Sequence, residues 1–204
     1  MSHYFATPVS DEQRRTVGVR FWDTDWTFTT ANGVFSADGL DLGTAVLLRT
    51  HTPDAAARRL LDLGCGWGVL AVALAVASPQ AFVDAVDTNA RALALTRDNA
   101  AAYGVGDRVR AFAPEDAEAA ASYDEIWSNP PIRIGKEALH DLLERWLPLL
   151  APGGVARLVV GRNLGADSLQ RWLIERGWSC ERTASAKGFR VFEVRGLPMA
   201  PASD

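Results

Sequence analysis

The stretch LDLGCGWG at residues 61–68 decides the fold, because it joins two apolar runs through a loop rich in glycine. The run at 60–63 has the length of a buried strand, and the run that follows the loop reaches Ala77 and fits a helix. A strand, a tight glycine loop and a helix in this order bring backbone N–H groups close to a ligand. The sequence therefore predicts a ligand-binding loop at the end of this strand.

Apolar runs alternate with amphipathic stretches along the rest of the chain. Further strands are predicted at 81–86, 108–112, 123–127, 155–160 and 189–194, and helices at 66–77, 89–103, 136–150 and 168–176. This alternation is typical of an α/β fold with a mostly parallel sheet covered on both faces. Ligands bind such sheets outside the carboxyl ends of the strands, so we expect the functional side chains there.

The residues before position 53 have a different pattern. Two short apolar segments at 17–22 and 26–30 are split by Asp23-Thr24-Asp25, which predicts a β-hairpin. Thr44 is placed to cap a helix that runs to about Thr50.

This difference in pattern divides the chain into two parts. We interpret residues 1–52 as an N-terminal hairpin and lid, and residues 53–204 as the main ligand-binding domain.

The composition is that of an ordinary globular protein, with 204 residues, 48% hydrophobic and 23% charged. The net charge of −4 argues against a protein that holds nucleic acid by bulk electrostatics alone, although it permits a local basic patch. The longest apolar run, at 69–77, is too short to span a membrane, and the first residues lack the apolar core of a signal peptide.

The cysteines and histidines suggest neither a disulfide nor a metal. Cys65 and Cys180 fall in different predicted elements, which favours free thiols and a cytoplasmic location. His3, His51 and His140 form no metal-binding or catalytic grouping in the sequence, so no metal site is predicted.

The glycine spacing, G-x-G-x-G, does not by itself select a cofactor. A dinucleotide fingerprint would place its third glycine at the position of Val69. Asp62 favours S-adenosylmethionine, since a carboxylate at the strand end can hold the ammonium group of that cofactor. Asp87 ends the next strand and can accept hydrogen bonds from ribose hydroxyls in either cofactor.

The second informative stretch is SNPP at residues 128–131, directly after the predicted strand at 123–127. The side-chain amide of Asn129 offers one acceptor oxygen and two donor hydrogens. Pro130 and Pro131 restrict the chain and lack N–H groups that would compete for nearby carbonyls. Such a loop is either an ordinary turn or a site that grips a planar amino group.

Together these segments resemble the methyltransferase small domain family, which includes ribosomal RNA guanine-N2 methyltransferases and protein-glutamine N5-methyltransferases. The resemblance covers most of the chain. It is carried by His3-Tyr4-Phe5 and by the motifs at 33–36, 40–44, 61–68, 87–89, 123–136 and 187–191.

The resemblance implies a class I methyltransferase fold, a Rossmann-like sheet of seven strands with the last antiparallel and helices on both faces. It also implies S-adenosyl-L-methionine as the cofactor. The residues expected to bind the cofactor are Phe35, Gly43, Thr44, Asp62, Gly64, Cys65, Gly66, Asp87, Thr88 and Asn129, with either Glu115 or Asp116 at the adenine.

The expected reaction is methyl transfer to an exocyclic amino group, with guanine N2 of ribosomal RNA as the leading substrate. Asn129, Pro130 and Pro131 are the expected catalytic residues. The residues expected to contact the substrate are Ile132, Arg133, Lys136 and Arg190. Ile132 stands where many family members have an aromatic residue, so base stacking would come from Phe35, Trp22 or Trp26.

Two alternatives remain open at this stage. A protein-glutamine N5-methyltransferase would need no basic surface, which suits the acidic composition. A non-catalytic, cofactor-binding RNA assembly factor would need no catalytic asparagine.

The larger ribosomal RNA enzymes carry an extra N-terminal domain, and this chain corresponds to their catalytic half. The basic residues near the loop are either phosphate contacts or a solvated face.

Overall fold

The computed structural model describes residues 11–118, 121–131 and 134–196. Within these ranges the chain forms a β-hairpin and a seven-stranded sheet with α-helices packed against it. Ile132, Arg133 and the motif His3-Tyr4-Phe5 lie outside the described residues. In the described part of the chain, no helix has the length and apolar character needed to cross a membrane.

The hairpin pairs β1 (Arg14–Phe21) with β2 (Thr24–Ala31). Its turn is Trp22-Asp23, and both residues have positive φ angles, of 48° and 55°. Two-residue turns of this kind match the right-handed twist of the strands they join. The hairpin prediction is confirmed, but the turn comes earlier than the expected Asp23-Thr24-Asp25.

The main sheet contains seven strands, with the order β5-β4-β3-β6-β7-β9-β8. They are β3 (Arg59–Leu63), β4 (Phe82–Val86), β5 (Val109–Phe112), β6 (Tyr123–Ser128), β7 (Leu150–Gly161), β8 (Trp178–Ala186) and β9 (Phe189–Gly196). Strands β3 to β7 are parallel, whereas β9 is antiparallel to both β7 and β8. This topology confirms the predicted α/β sheet of seven strands with an antiparallel last strand.

Helices cover both faces of the sheet. They are α1 (Leu42–Thr50), α2 (Val69–Ala77), α3 (Ala90–Ala102), α4 (Lys136–Trp146) and α5 (Ala166–Glu175). Neighbouring residues of β3, Leu60 and Leu61, are both fully buried but belong to two different apolar clusters. One cluster includes residues of α1 to α3, and the other includes residues of α4 and α5. Each face of the sheet therefore has its own core.

Several element boundaries differ from the prediction, and one strand was not predicted; β7, for example, begins at Leu150 instead of residue 155. Helix α2 begins at Val69 instead of residue 66, because Gly66 and Gly68 have φ angles of 55° and 86° that an α-helix excludes. Helix α4 ends at Trp146, where the segment Leu147–Leu149 with its proline forms a 3₁₀ turn. Strand β8 was not predicted, because it lies at the sheet edge and Cys180 is its only buried residue.

The hairpin packs on α3. The backbone N–H of Thr27 donates to the Tyr103 hydroxyl at 2.7 Å, and that of Thr29 donates to Oδ1 of Asn99 at 2.8 Å. Trp26 and Phe28 share one apolar cluster with α2 and α3. The segment that follows the hairpin leads to α1 and approaches the glycine loop. The division into residues 1–52 as a lid and 53–204 as a domain stays a prediction.

Candidate active site

The glycine loop connects the carboxyl end of β3 to α2. The N–H groups of Gly64 and Cys65 donate to the carbonyl of Val86, at 2.8 and 2.9 Å, which ties the loop to the end of β4. A Cβ atom added at Gly68 would meet the Cα of Thr96 at 2.9 Å, so this glycine permits close packing of the loop on α3. A Cβ atom at Gly64 or Gly66 would meet nothing within 4 Å. These two glycines leave open space for a ligand.

Asp62 lies beneath the loop and has no exposed surface. Its Oδ2 accepts a hydrogen bond of 2.9 Å from the N–H of Ala71 in the first turn of α2. The N-cap of that helix is Gly68, which has no side chain, so Asp62 supplies the missing acceptor. Oδ1 of Asp62 has no hydrogen-bond partner among the described residues. Burial raises the pKa of Asp62 to about 8, against the opposing effect of the Ala71 N–H.

Asp87 follows β4 and joins the loop to α3. Its two oxygens accept hydrogen bonds of 2.9 Å from the N–H groups of Gly66 and Asn89. Burial raises the pKa of Asp87, and these backbone hydrogen bonds oppose the shift. Thr88 is exposed beside it, and Asn89 caps α3 while its side chain donates to the carbonyl of Gly33. The carboxylate is thus held at the end of β4, as predicted.

Asn129 directly follows β6. Its Nδ2 donates to Oδ1 of Asp41 at 2.6 Å and to the hydroxyl of Thr44 at 3.0 Å. Asp41 is the N-cap of α1 and accepts hydrogen bonds from the N–H groups of Gly43 and Thr44. The prediction that Thr44 caps this helix is wrong, because it occupies the third helical position and Asp41 precedes the helix. Gly43 is required there, since a Cβ would lie 2.8 Å from the ring of Phe189.

A small cavity of about 30 Å³, open to solvent, lies between the glycine loop and the start of α1. Its lining includes six predicted residues, namely Phe35, Thr44, Gly64, Cys65, Gly66 and Asn129. It also includes five residues that were not predicted as site residues, namely Ser36, Asp41, Trp67, Val69 and Leu70. Asp41 was recognisable as a possible N-cap, whereas the other four gave no chemical signal in the sequence.

Cys65 has the environment of a packing residue. Its side chain is buried, and burial raises the pKa of the thiol well above the ordinary value. A protonated thiol is a weak nucleophile, so Cys65 contributes to the cavity wall without covalent chemistry.

Several predicted residues lie away from this cavity. Glu115 and Asp116 occupy an exposed 3₁₀ turn after β5, and their role at the adenine stays a prediction. Lys136 is exposed at the first position of α4. Arg190 is mostly buried and forms an ion pair with Asp167, so a phosphate would share its guanidinium with this carboxylate, and the predicted phosphate contact stays a prediction.

The two tryptophans proposed as base-stacking residues are occupied in the fold. Trp26 is 5% exposed and stacks on Phe21 with a centroid separation of 4.8 Å. The indole N–H of Trp22 donates to the carbonyls of Leu48 and His51, at 2.6 and 3.1 Å. Burial and stacking exclude Trp26 as a stacking residue, whereas the stacking role of Trp22 stays a prediction. Phe35 remains, since it lines the cavity and is 44% exposed.

The buried Asp62 gives a prediction about stability and pH. Its folded pKa of about 8 lies above the unfolded value of 3.8, so the folded state retains a proton that the unfolded state loses. The contribution of Asp62 to the free energy of unfolding should therefore decline as pH rises from about 4 to about 8 and level off above that. Asp62→Asn keeps an acceptor for Ala71 and cannot ionise, so its stability should rise relative to the parent across this window.

Urea unfolding at closely spaced pH values would measure this difference. Asp25→Asn, at an exposed position in the hairpin, is the control and should follow the parent curve. A parent curve parallel to that of Asp62→Asn would show that Asp62 is ionised in the folded protein.

The topology and the two loops together define the class of protein. A glycine loop follows the first strand of the seven-stranded sheet, and Asn-Pro-Pro follows the strand beside it. This arrangement is that of a class I, S-adenosylmethionine-dependent methyltransferase. The methyltransferase small domain family matches residues 25–193, and the chain belongs to that family.

Relatives of this chain include a protein of similar length and longer enzymes. Uncharacterized protein YbxB of Bacillus subtilis is 27% identical over 197 residues, which cover 95% of this chain and 98% of that protein. Ribosomal RNA small subunit methyltransferase C of Pseudomonas entomophila is 38% identical over 169 residues, covering 79% of this chain and 48% of that protein. The enzyme of the same name from Citrobacter koseri is 39% identical over 145 residues, covering 69% and 42%. The chain thus spans less than half the length of these two methyltransferases.

A solved structure shares the fold over nearly the whole chain. It is the T. thermophilus 16S rRNA N2 methyltransferase (RsmC) in complex with AdoMet and guanosine. The TM-score is 0.77 at 23% sequence identity, covering 93% of this chain and 52% of that chain.

Proposed function

We propose that this protein transfers the methyl group of S-adenosylmethionine to the exocyclic N2 amino group of guanine in ribosomal RNA. The observation that carries the proposal is the orientation of Asn129. Its amide nitrogen is engaged by Asp41 and Thr44, so its oxygen is the group available to a substrate in the cavity. An acceptor oxygen at this position suits a substrate that brings N–H groups.

The residues around the glycine loop fit S-adenosylmethionine. Gly64 and Gly66 leave open space in the cavity wall, and the unpartnered Oδ1 of Asp62 suits a cationic ammonium group. Asp87 lies at the end of β4, where a carboxylate can accept hydrogen bonds from ribose hydroxyls. The sulfonium group of the cofactor supplies a methyl group already activated for transfer, so no protein nucleophile is needed.

The catalytic loop positions the amino group. The carbonyl of Pro131 already accepts a hydrogen bond of 3.0 Å from the N–H of Ile134, which leaves the Pro130 carbonyl as the second acceptor beside Asn129. Two acceptors hold the two N–H groups of the substrate and direct the nitrogen lone pair along the transfer path. They also stabilise the positive charge that develops on the nitrogen. Asparagine is not a base, so the proton leaves after the methyl group has been transferred.

The choice of RNA rests on the relatives, on Phe35 in the cavity wall and on an exposed lysine that follows the catalytic loop. The names of the Pseudomonas and Citrobacter relatives specify the small ribosomal subunit, and the T. thermophilus structure contains guanosine. Phe35 lines the cavity and is exposed, which supports a role in stacking on a base. Lys136 is exposed just after the catalytic loop, which supports a phosphate contact, whereas Arg133, predicted for the same role, lies outside the described residues. A guanine in a duplex would have to be flipped into the cavity, and a ribosomal substrate implies a cytoplasmic location.

Methyl-label transfer tests the substrate class. The protein would be incubated with S-adenosylmethionine carrying a labelled methyl group, and with total RNA or total protein from a strain that lacks the gene. We expect label in the RNA, and no label from a control reaction with RNA of the complemented strain, which is already methylated. Label in the polypeptide fraction alone would contradict the RNA proposal and support glutamine methylation.

A further inference from the structure

We infer that Asp41 is a positioning residue that fixes the orientation of the Asn129 amide, so that the site presents an acceptor and not a donor to the substrate. The inference rests on the proposed function of Asn129. It extends that function, because it identifies the residue that makes the Asn129 loop select substrates with an N–H donor.

The geometry around Asp41 is that of a triple acceptor. One oxygen, Oδ1, accepts hydrogen bonds from the N–H of Gly43 at 2.8 Å, the N–H of Thr44 at 3.1 Å and Nδ2 of Asn129 at 2.6 Å. A carboxylate can only accept hydrogen bonds. If the Asn129 amide turned over, its oxygen would face the carboxylate at this short separation and the two would repel.

Thr44 cannot impose this orientation alone. Its hydroxyl lies 3.0 Å from Nδ2 of Asn129, but a hydroxyl can donate or accept and would tolerate either orientation of the amide. The discrimination therefore comes from Asp41.

Asp41 is itself held firmly by α1. Its carboxylate occupies the N-terminus of that helix, where two backbone N–H groups and the helix dipole favour negative charge. The next residues cannot shift easily, because Gly43 packs directly against the ring of Phe189 and Val46, Leu47 and Leu48 are buried. The position of Asn129 is therefore linked to the apolar core through α1.

Asp41→Ser separates positioning from helix capping. Serine is as good an N-cap as aspartate, but its shorter side chain withdraws the acceptor from Asn129. We expect kcat to decrease by about 100-fold, as for a misplaced catalytic group, with unchanged affinity for S-adenosylmethionine. Asp41→Asn keeps an acceptor oxygen on a side chain of equal length and should recover much of this loss. Asp25→Ser, at an exposed hairpin position, is the control and should match the parent.

A double-mutant cycle decides whether Asp41 acts through Asn129. In the Asn129→Ala background, Asp41→Ser should change kcat by less than about two-fold, since coupled residues are not additive. An equal loss of kcat in both backgrounds would overturn the inference. So would a weaker affinity of Asp41→Ser for S-adenosylmethionine, because that result would make Asp41 a direct cofactor contact.

A spectroscopic measurement tests the same contact without any substrate. In protein labelled with ¹⁵N-asparagine, the side-chain NH₂ signals of Asn129 are identified by their loss in Asn129→Ala. We expect these signals to shift in Asp41→Ser toward the values of a free amide and to stay in place in Asp25→Ser. Unshifted signals in Asp41→Ser would overturn the inference. Inactivity of the parent on RNA would instead refute the proposed substrate and leave this result intact.

Discussion

Asn129→Ala should slow methyl transfer by about 10²–10³-fold, the usual effect of removing one preorganised polar group from an active site. Affinity for S-adenosylmethionine should remain close to that of the parent. The reason is that the truncation removes the acceptor oxygen that holds the amino group, while Asp62, Asp87 and the glycine loop are untouched. Their hydrogen bonds run to backbone groups of α2, α3 and the loop itself. Single-turnover kinetics with saturating cofactor would measure the loss directly.

The matched control for this variant is Asn163→Ala, which removes an asparagine from the exposed 3₁₀ turn Arg162–Leu164 and should turn over at the parent rate. Transfer by Asn129→Ala within two-fold of the parent would refute the catalytic role of Asn129. Loss of cofactor affinity with a normal rate at saturation would assign it to binding instead.

Arg157→Met should destabilise the fold by about 3–5 kcal/mol at pH 7, the typical cost of leaving a buried charge without its partner. Arg157 is 8% exposed and forms an ion pair of 2.6 Å with Glu125, which is 2% exposed. The methionine fills much of the same space but leaves this carboxylate uncompensated. Glu125 still accepts hydrogen bonds from the Trp127 indole and the backbone of Asp54, so its unpaired charge accounts for most of the loss. Arg157 also pairs with the more exposed Glu193 at 3.2 Å, and the loss of that pair adds a smaller amount.

Adding Glu125→Gln to Arg157→Met should recover a large part of the lost stability, because it removes the unpaired charge and retains acceptor atoms. Arg20→Met provides the comparison with an exposed ion pair, because Arg20 and Asp25 lie on the surface of the hairpin. This variant should lower the free energy of unfolding by less than about 1 kcal/mol. Urea denaturation would measure all three variants. Equal losses for Arg157→Met and Arg20→Met would contradict the account of this buried pair.

The alternation of strands and helices in the sequence predicted a mostly parallel sheet with both loops at its carboxyl edge, and the family resemblance implied seven strands with the last antiparallel. Asp62 lies near the end of one parallel strand, and Asn129 directly follows another. Parallel strands bring their carboxyl ends to one edge of a sheet, so the two residues lie at the same edge. The N-cap of α1 was assigned wrongly to Thr44, because Asp41 and Thr44 are both good capping residues three positions apart. Only the backbone decides which of the two precedes the helix.

Contacts between distant segments were outside the reach of sequence patterns. The pairing of Arg190 with Asp167 joins β9 to the start of α5, and its effect on phosphate binding is invisible without the fold. The sequence around Trp22 and Trp26 does not reveal that their side chains make packing and hydrogen-bond contacts within the fold. Strand β8 also escaped detection, because an edge strand with one buried residue lacks the apolar alternation that identifies strands.

We propose that the amino group held by Asn129 is N2 of guanine in ribosomal RNA. Mass spectrometry of nucleosides tests this proposal most directly, after small-subunit RNA from a deletion strain has been incubated with the protein and S-adenosylmethionine. We expect N2-methylguanosine to appear with the parent protein and to be reduced by about 10²–10³-fold with Asn129→Ala. A methylated nucleoside other than N2-methylguanosine, or unmodified RNA beside a methylated polypeptide, would contradict it.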